Sequence, residues 1–344
     1  MATGLYYSDA CLGHDTGDHP ENRQRLEAIM GRLEGLSDLG EMVRRTPGPA
    51  DLSLVEAVHL PAYVDRVARM AGSGGGNLDA DTIVSPGSMN AALHAVGGAV
   101  EASVAAIGGE VDNAFVAVRP CGHHASAGVG MGFCLFNNVA IAAHHLLAEG
   151  LASRVAVVDF DVHHGNGTQE IFYDDPSVLM ISLHQSPLYP GSGHYNEMGR
   201  GAGEGYTVNI PLPPGTGDEG YDLAMERVVE PAVARYGPDM MLVSAGYDPH
   251  WQDPLASMGV TVHGFRRVME RIKGLADGLC GGKVVAVLEG GYDLKALSSA
   301  VEASIRVLAG SGKVVEDPYG SPGAGVGLER AEAVVAAVRG LHRL

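Results

Sequence analysis

The amino-acid sequence predicts an α/β protein built on a doubly wound parallel sheet. Short Val-rich apolar runs bounded by turn residues recur along the chain, as is typical of buried parallel strands. Between these runs lie longer Ala-rich stretches in which apolar residues recur at helical spacing. Because strands and helices alternate, the strands are expected to lie side by side with helices covering both faces of the sheet.

The individual elements follow from this alternation. Six apolar runs are predicted to be strands, namely residues 4–7, 114–118, 155–159, 178–183, 240–245 and 284–289. Six stretches are predicted to be helices, namely residues 87–107, 139–149, 220–236, 263–279, 293–308 and 328–344. Three segments rich in Gly or Pro are expected to be surface loops, namely residues 71–77, 190–205 and 310–326. Since none of them resembles a linker between domains, residues 1–344 are expected to form one domain.

Composition narrows the class of protein. Of 344 residues, 46% are hydrophobic and 19% are charged, which predicts a large buried core. The net charge of −18 argues against binding nucleic acid through general neutralisation of phosphates. We find neither an apolar run of about 18 residues nor a signal-peptide pattern, so a cytoplasmic protein without a membrane partner is expected. Four scattered cysteines without a C-x-x-C pair are expected to be reduced thiols.

Histidines and acidic residues cluster directly after four of the predicted strands. The segments are RPCGHHA at 119–125, DFDVHHGNG at 159–167, GYDPH at 246–250 and GGYD at 290–293. In an open parallel sheet, binding sites form at the carboxyl ends of the strands. Any one of these residues alone could be a helix cap or a surface acid, but the coincidence at four strand ends indicates a shared site.

Asp161 and His163 are candidate metal ligands. Side chains at positions i and i+2 of an extended segment point the same way, so this carboxylate and this imidazole can converge on one cation. Asp248, at another strand end, can supply the third ligand. Two carboxylates and one imidazole suit Zn²⁺, with Fe²⁺ or Co²⁺ as alternatives, and three protein ligands leave coordination positions for water and substrate.

His123 and His124 are candidate acid/base residues. Two adjacent imidazoles in a Gly-flanked loop can share one bound water, so that one takes its proton and the other holds or returns a proton. Asp159 and Asn166 are placed to bind the imidazole nitrogens that face away from this water. A carboxylate partner raises the basicity of its histidine more than an amide partner does. Tyr292 can donate a hydrogen bond to a developing oxyanion, although its motif taken alone would favour a half-buried core tyrosine.

These motifs resemble the zinc-dependent histone deacetylase superfamily, in particular its class II type and its bacterial amidohydrolase relatives, which include acetylpolyamine amidohydrolases. The matching segments are RPCGHHA at 119–125, MGFCLFNNVAIAA at 131–143, DFDVHHGNGTQ at 159–169, SLH at 182–184, PGSG at 190–193, SAGYDPHWQDPL at 244–255 and LEGGYDL at 288–294. HPENRQRLEAI at 19–29 and DTIVSPGSMNAAL at 81–93 match as well. The likeness extends from about residue 7 to residue 310.

The resemblance implies the arginase–deacetylase fold, which has three layers and a central parallel sheet of about eight strands. It also implies site roles. Zinc would be bound by Asp161, His163 and Asp248; His123 and His124 would be the acid/base pair, supported by Asp159 and Asn166; and Tyr292 would polarise the scissile carbonyl. A structural potassium ion would be bound by Asp159, Asp161, His163, Ser182 and Leu183. The substrate tunnel would be formed by Phe133, Tyr189, Gly132 and Leu255, with Arg25 at its inner end.

One residue differs from the usual family motif, and two others match the motif of particular classes within the family. Cys121 stands where the family usually has a second proline, which implies little effect on catalysis but sensitivity to oxidation if the thiol is exposed. Asn166 fits class II, since class I enzymes have an aspartate there. Tyr292 is present where weakly active class IIa enzymes have histidine, which implies a competent catalyst.

The function that these observations predict is hydrolysis of an N-acyl amide to a carboxylate and a free amine. The expected substrates are acetylated lysine, an acetylated peptide or a small acylated amine. An acetylpolyamine amidohydrolase is the alternative: Leu255 stands where eukaryotic polyamine-selective relatives have glutamate, but Asp79 or Asp81 could hold the substrate ammonium.

Two further alternatives are disfavoured, and the oligomeric state is left open. An arginase-like enzyme with two manganese ions needs additional carboxylates where this chain has Gly165 and Gly246. A catalytically silent protein that binds acyl ligands would not need the intact histidine pair and Tyr292.

Overall fold

The computed structural model describes residues 2–36, 38–39, 41–323 and 327–344. The strands are β1 Ala2–Tyr7, β2 Glu41–Arg45, β3 Gly76–Asn77, β4 Ile83–Val84, β5 Asn113–Ala117, β6 Val155–Asp159, β7 Val178–Gln185, β8 Thr207–Leu212, β9 Met240–Ala245 and β10 Val284–Leu288. The helices are α1 Gln24–Glu34, α2 Leu52–Glu56, α3 Pro61–Gly72, α4 Ser88–Ile107, α5 Asn138–Ala148, α6 Asn166–Ile171, α7 Asp218–Ala224, α8 Glu230–Tyr236, α9 Val262–Leu279, α10 Leu294–Leu308 and α11 Leu328–His342.

Eight strands form the central sheet in the order β2-β1-β5-β10-β9-β6-β7-β8. Every neighbouring pair in this sheet is parallel, while β3 and β4 form a separate antiparallel pair. Helices flank the sheet, with α4 packed against α5 and α3 in one group and α10 packed against α1 and α9 in another. The predicted α/β fold with a parallel sheet of about eight strands is therefore confirmed.

All six strands predicted from the sequence are present, and the two strands of the central sheet that the prediction missed lie at its edges. The short strands β3 and β4 were missed as well, and β3 lies within the predicted loop over 71–77. β2 has the sequence EMVRR and β8 the sequence TVNIPL, so neither shows a continuous apolar run. An edge strand is hydrogen-bonded to a neighbouring strand on one side only. It therefore tolerates charged residues and proline that a central strand would exclude. The apolar pattern therefore reported only the central strands, together with β7.

The predicted helix over 220–236 is interrupted. The structure has α7, then a π-helical turn over Met225–Val229, then α8. Pro231 explains the interruption, because proline has no N–H to donate and its ring clashes with the carbonyl four residues earlier in regular α-helical geometry. The other predicted helices begin and end within two residues of the observed ones. The predicted loop over 310–326 includes residues 324–326, which lie outside the described residues.

Helix α4 is long and apolar enough to span a membrane by length and composition, and 67% of its most apolar window is buried inside the protein. It packs against α5, β5 and β10. Since these contacts use its apolar surface, α4 has the character of a core helix.

The order of the strands brings the four motif-bearing strand ends together. β5, β10, β9 and β6 are consecutive neighbours in the middle of the sheet. All residues of these four strands are buried. Because the strands are parallel, their carboxyl ends lie at one edge, and the segments that follow them meet there.

Candidate functional site

Asp161, His163 and Asp248 meet at this edge and are all buried. One ligand atom from each lies within 4.8 Å of those of the other two. Nδ1 of His163 is 3.0 Å from Oδ1 of Asp161 and 3.1 Å from Oδ2 of Asp248. The structure thus brings together the three residues that the sequence proposed as metal ligands.

The charges of this cluster are not balanced. Burial raises the pKa of Asp248, and the negative charge of Asp161 raises it further. Burial alone would lower the pKa of His163, but its hydrogen bond to Asp161 and the adjacent carboxylate of Asp248 raise it to about 10. Two buried carboxylates beside one imidazole concentrate negative charge, which a cation bound among them would offset.

One oxygen atom indicates where a cation fits. Oδ1 of Asp248 accepts a hydrogen bond of 2.9 Å from the N–H of Val162. Oδ2 of the same carboxylate is buried; it lies 3.1 Å from Nδ1 of His163 but accepts no hydrogen bond of good geometry from the described residues. A buried oxygen left without a donor is the expected state of a metal ligand, so these three side chains suit a divalent cation that accepts oxygen and nitrogen ligands.

The histidine pair lies beside this cluster. Nδ1 of His123 is 3.0 Å from Oδ2 of Asp159, and Nδ1 of His124 is 2.7 Å from Oδ1 of Asn166. Burial alone would lower the pKa of His123, but the charges of Asp161 and Asp159 hold it well above its usual value. Burial and the charge of His123 hold the pKa of His124 well below its usual value. His123 is therefore more basic than His124, as expected from a carboxylate partner for His123 and an amide partner for His124.

Glu289 supports the histidine loop, a role that the sequence reading did not assign. Its Oε2 accepts hydrogen bonds from the backbone N–H groups of Gly122, at 2.7 Å, and His123, at 3.2 Å. The available signal was an acid at the end of a Val-rich buried run, where an apolar residue is the norm.

A hydrogen bond from its backbone N–H holds Tyr292 in place. Its N–H donates a hydrogen bond of 2.7 Å to Oδ2 of Asp253, a buried residue that the sequence reading left without a role. The guanidinium of Arg25 lies 5.1 Å from the centre of the Tyr292 ring, and the Phe133 ring packs edge-on at 5.9 Å. Burial raises the pKa of Tyr292 well above its usual value, so the phenol keeps its proton and remains a donor.

A cavity of about 210 Å³ connects these residues. Its walls contain Asp81, Cys121, His123, His124, Gly132, Phe133, His163, Leu188, Tyr189, Leu255, Gly290 and Tyr292. All four residues predicted to form the tunnel are among them. Leu188 was missed, although it adjoins the predicted Tyr189 in sequence. Asp79 and Arg25 are not part of the wall.

The turn that carries Phe133 is strained. Gly132 and Phe133 have φ angles of 55° and 70°, in the left-handed region that residues other than glycine rarely adopt. A Cβ atom on Gly132 would also collide with the ring of His124. The N–H of Phe133 donates a hydrogen bond of 3.2 Å to Oγ1 of Thr82, which helps to hold this ring at the cavity wall.

Comparison with known proteins identifies the family. Residues 19–308 match the profile of the histone deacetylase domain. The chain belongs to the histone deacetylase family. This histone deacetylase family member is 46% identical over 298 residues to a probable deacetylase of Archaeoglobus fulgidus, covering 86% of this chain and 82% of that protein. It is 36% identical to a histone deacetylase-like amidohydrolase of Pseudomonas aeruginosa, covering 92% of this chain and 88% of the relative.

A solved structure agrees with the sequence comparisons. The crystal structure of the HDA15 HD domain superimposes on this histone deacetylase family member with a TM-score of 0.88 at 35% identity, covering 98% of this chain and 95% of that one. Family membership and fold together make the chain a deacetylase-type hydrolase that acts on acetylated substrates.

Two expectations about other ions concern neighbouring residues of this histone deacetylase family member. Asp159 and Ser182 face each other in the register of β6 and β7, which places two of the five residues expected to bind potassium on adjacent strands. Potassium itself stays a prediction. At Gly246, a Cβ atom would collide with the Asp161 side chain, so this position has no room for the second-metal ligand that an arginase-like enzyme needs.

Proposed function

We propose that the protein is a zinc-dependent deacetylase that hydrolyses acetylated lysine, or a similar acetylated amine, to acetate and the free amine. The observation that carries this proposal is the cluster of Asp161, His163 and Asp248, in which the buried Oδ2 of Asp248 accepts no hydrogen bond of good geometry, next to the cavity that His163 shares with the histidine pair. This combination supplies metal ligands and acid/base groups at one place, as amide hydrolysis requires.

Asp161, His163 and Asp248 would hold the zinc ion. When bound, zinc would supply a Lewis acid for the amide carbonyl and would lower the pKa of a water molecule. The N–H of Gly290 donates a hydrogen bond of 2.8 Å to Oδ2 of Asp161, and the N–H of Val162 donates to Asp248. These backbone donors fix the orientation of both carboxylates.

The histidine pair would move the protons. Because their Nδ1 atoms are engaged by Asp159 and Asn166, His123 and His124 have only Nε2 free for the reaction. One Nε2 takes the proton of the attacking water, and a proton is delivered to the nitrogen of the leaving amine. The carboxylate partner stabilises a cationic imidazole more than the amide partner does, so His123 is the better store for a proton and His124 the better acceptor at neutral pH.

Tyr292 would stabilise the oxyanion. Its phenol stays protonated and lines the cavity together with both histidines. A neutral donor aimed at the carbonyl oxygen strengthens its hydrogen bond as negative charge develops there, which favours the transition state over the bound substrate. Asp253 positions this phenol through the backbone of Tyr292.

The cavity walls support a narrow, extended acyl-amine as substrate. Phe133 and Tyr189 supply aromatic walls, and Leu255 supplies an apolar one. Among the described residues, Asp81 is the one carboxylate in this wall, and it favours a substrate that carries a positive charge beside it. That observation keeps an acetylpolyamine as the second candidate substrate.

Kinetics with matched substrates test the proposal. We expect the zinc-loaded enzyme to release acetate from an acetyl-lysine peptide with a higher kcat/KM than from acetylputrescine. Asp81→Asn should lower kcat/KM for acetylputrescine more than for a neutral peptide, since only the former carries an ammonium on a short chain. A preference for acetylputrescine that Asp81→Asn abolishes would establish the polyamine alternative. Absence of zinc-dependent acetate release from every substrate would refute the proposed function.

We further propose the cytoplasm as the place of action. The support is that all four cysteines are free, which fits a reducing compartment.

A further inference from the structure

A second cluster of metal-binding side chains lies behind the histidine loop. Sγ of Cys121, Sγ of Cys134 and a carboxylate oxygen of Glu289 all lie within 4.8 Å of one another. The two sulfur atoms are 3.2 Å apart. Cys121 is 3% exposed, and Cys134 and Glu289 are fully buried. Three potential ligands are therefore gathered in the interior, although Cys121 and Glu289 are 168 positions apart in the chain.

Glu289 has an unused oxygen in this cluster. Its Oε2 is occupied by the N–H groups of Gly122 and His123, whereas its Oε1 is buried without a hydrogen-bond partner among the described residues. Burial raises the pKa of this carboxyl to about 7. A buried carboxylate oxygen without a hydrogen-bond donor destabilises the folded protein. Beside two thiols, a cation bound to this oxygen and to both sulfurs would remove that destabilisation.

We propose that Cys121, Cys134 and Glu289 form a second cation site, selective for a thiophilic divalent ion such as Zn²⁺ or Cd²⁺. Two sulfur ligands distinguish this site from the cluster of Asp161, His163 and Asp248, which has oxygen and nitrogen ligands only. The ion bonds to both sulfurs and to the carboxylate, and both thiol protons are released to solvent as it binds. The bonds of about 2.3 Å that zinc makes to sulfur require the two thiols to separate slightly.

The position of this site connects it to the cavity. Cys121 is part of the cavity wall, so an ion can enter from the tunnel. Cys121 is also two residues from His123, and Glu289 holds the backbone N–H of His123. Since two thiol protons leave as the divalent ion binds, the net charge of the site is unchanged, and the effect comes from the Glu289 carboxylate, which the ion draws away from the backbone N–H groups of Gly122 and His123. We therefore expect occupancy to inhibit turnover, a consequence that rests on the proposed function, whereas binding itself does not.

Cadmium titration of the zinc-loaded protein tests the site. Cadmium bound to thiolates absorbs in the ultraviolet, and cadmium that replaces zinc at the sulfur-free cluster does not produce this band. We expect the band to rise to one equivalent in the wild type and to be lost in Cys121→Ser and in Cys134→Ser. Cys280→Ser is the matched control: Cys280 is a buried thiol bonded to the carbonyl of Lys283, away from the cluster, and its variant should keep the full band.

Circular dichroism of each variant checks that the fold is retained, and Cys134→Ala provides a second variant if the serine form does not fold. No thiolate band in the wild type, or an equal band in the Cys121 and Cys134 variants, would overturn the proposal. A purified protein whose mass is lower by two hydrogens and whose thiols resist alkylation would also overturn it, because the two sulfurs would then form a disulfide. Failure of the proposed function appears as absent turnover with the cadmium band intact, so the two results are distinguishable.

Discussion

Two buried groups of charged residues in this protein have opposite character. In the first, Glu21 lies between Arg119 and Arg25: Arg119 bonds to both carboxylate oxygens through Nε and Nη2, and Nη1 of Arg25 lies 3.1 Å from Oε1. All three side chains are fully buried. In the second, the carboxylates of Asp161 and Asp248 both lie beside the one imidazole of His163, and Oδ2 of Asp248 accepts no hydrogen bond of good geometry from the described residues.

The pKa values express the same contrast. Burial alone would raise the pKa of Glu21, but the charge and hydrogen bonds of Arg119 lower it to about 2. The pKa of Asp248 is raised by burial and by Asp161. A carboxylate whose oxygens are all bonded within the protein contributes to the fold, whereas one left short of donors indicates an external cation. Burial and residue type alone do not separate these two cases; the hydrogen-bond partners do.

Replacing Asp248 or Asp161 by alanine should have the largest effect on activity. Each substitution removes one of three protein ligands, so bound zinc and turnover should fall together below detection. Metal analysis and an acetate-release assay measure the two quantities. Asp174→Ala is a control, because Asp174 is an exposed acid paired with Arg200 on the surface. Stoichiometric zinc with normal turnover in either site variant would remove that residue from the ligand set.

Replacing Glu21 by glutamine should have the largest effect on stability. The change leaves Arg119 and Arg25 buried without their counter-charge, and breaking a buried ion pair in this way costs about 3–5 kcal/mol of unfolding free energy. Denaturant unfolding measures this cost. Glu27→Gln, at an exposed pair with Arg23, should cost at most about 1 kcal/mol. Equal stability of the Glu21 and Glu27 variants would contradict the assigned structural role of the Arg119–Glu21–Arg25 cluster.

Replacing Tyr292 by phenylalanine should lower kcat about 10²–10³-fold, or about 3–4 kcal/mol, because one donor to the oxyanion is lost. KM should change much less, since the cavity walls remain. Tyr63→Phe provides the comparison: the Tyr63 phenol is buried and donates a hydrogen bond of 2.7 Å to the carbonyl of Leu135. This second variant should lose about 1 kcal/mol of stability and little kcat. If Tyr292→Phe keeps kcat within about threefold of the wild type, Tyr292 is a wall residue only.

The pH dependence of stability should show the smallest of these effects. The folded-state pKa of Glu21, about 2, lies below the unfolded value of 4.5, so the unfolded chain binds more protons between these pH values. The stabilisation from Glu21 is therefore complete above pH 4.5 and is lost as pH falls towards 2. Between pH 5 and pH 3 we expect it to contribute about 2 kcal/mol to the loss of stability. The Glu21→Gln variant should show a correspondingly shallower loss over the same interval, and parallel curves would contradict the assignment.

Much of this protein was predictable from local sequence patterns. Val-rich runs identified the central strands, because burial on both faces demands continuous apolar residues. The clusters after those runs identified Asp161, His163, Asp248, His123 and His124, because parallel strands place their carboxyl ends at one edge. The prediction of one helix over 220–236 was only partly right, since it did not include the effect of Pro231 on the middle turn. The roles of the site residues, the identity of the metal and the arrangement of residues 1–344 as one domain stay predictions.

Other features depend on contacts between distant segments. Edge strands β2 and β8 lack the continuous apolar run of the central strands and are defined by the neighbours with which they pair. Asp253 and Thr82 orient Tyr292 and Phe133 through backbone N–H groups, and no sequence pattern encodes such a contact. The sequence alone determined which polar residues follow the central strands, because residue type and strand periodicity are local properties. Only the tertiary structure decided which buried acids are neutralised within the protein and which are left for a cation, because hydrogen-bond partners such as Glu21 and Arg119 are distant in the chain.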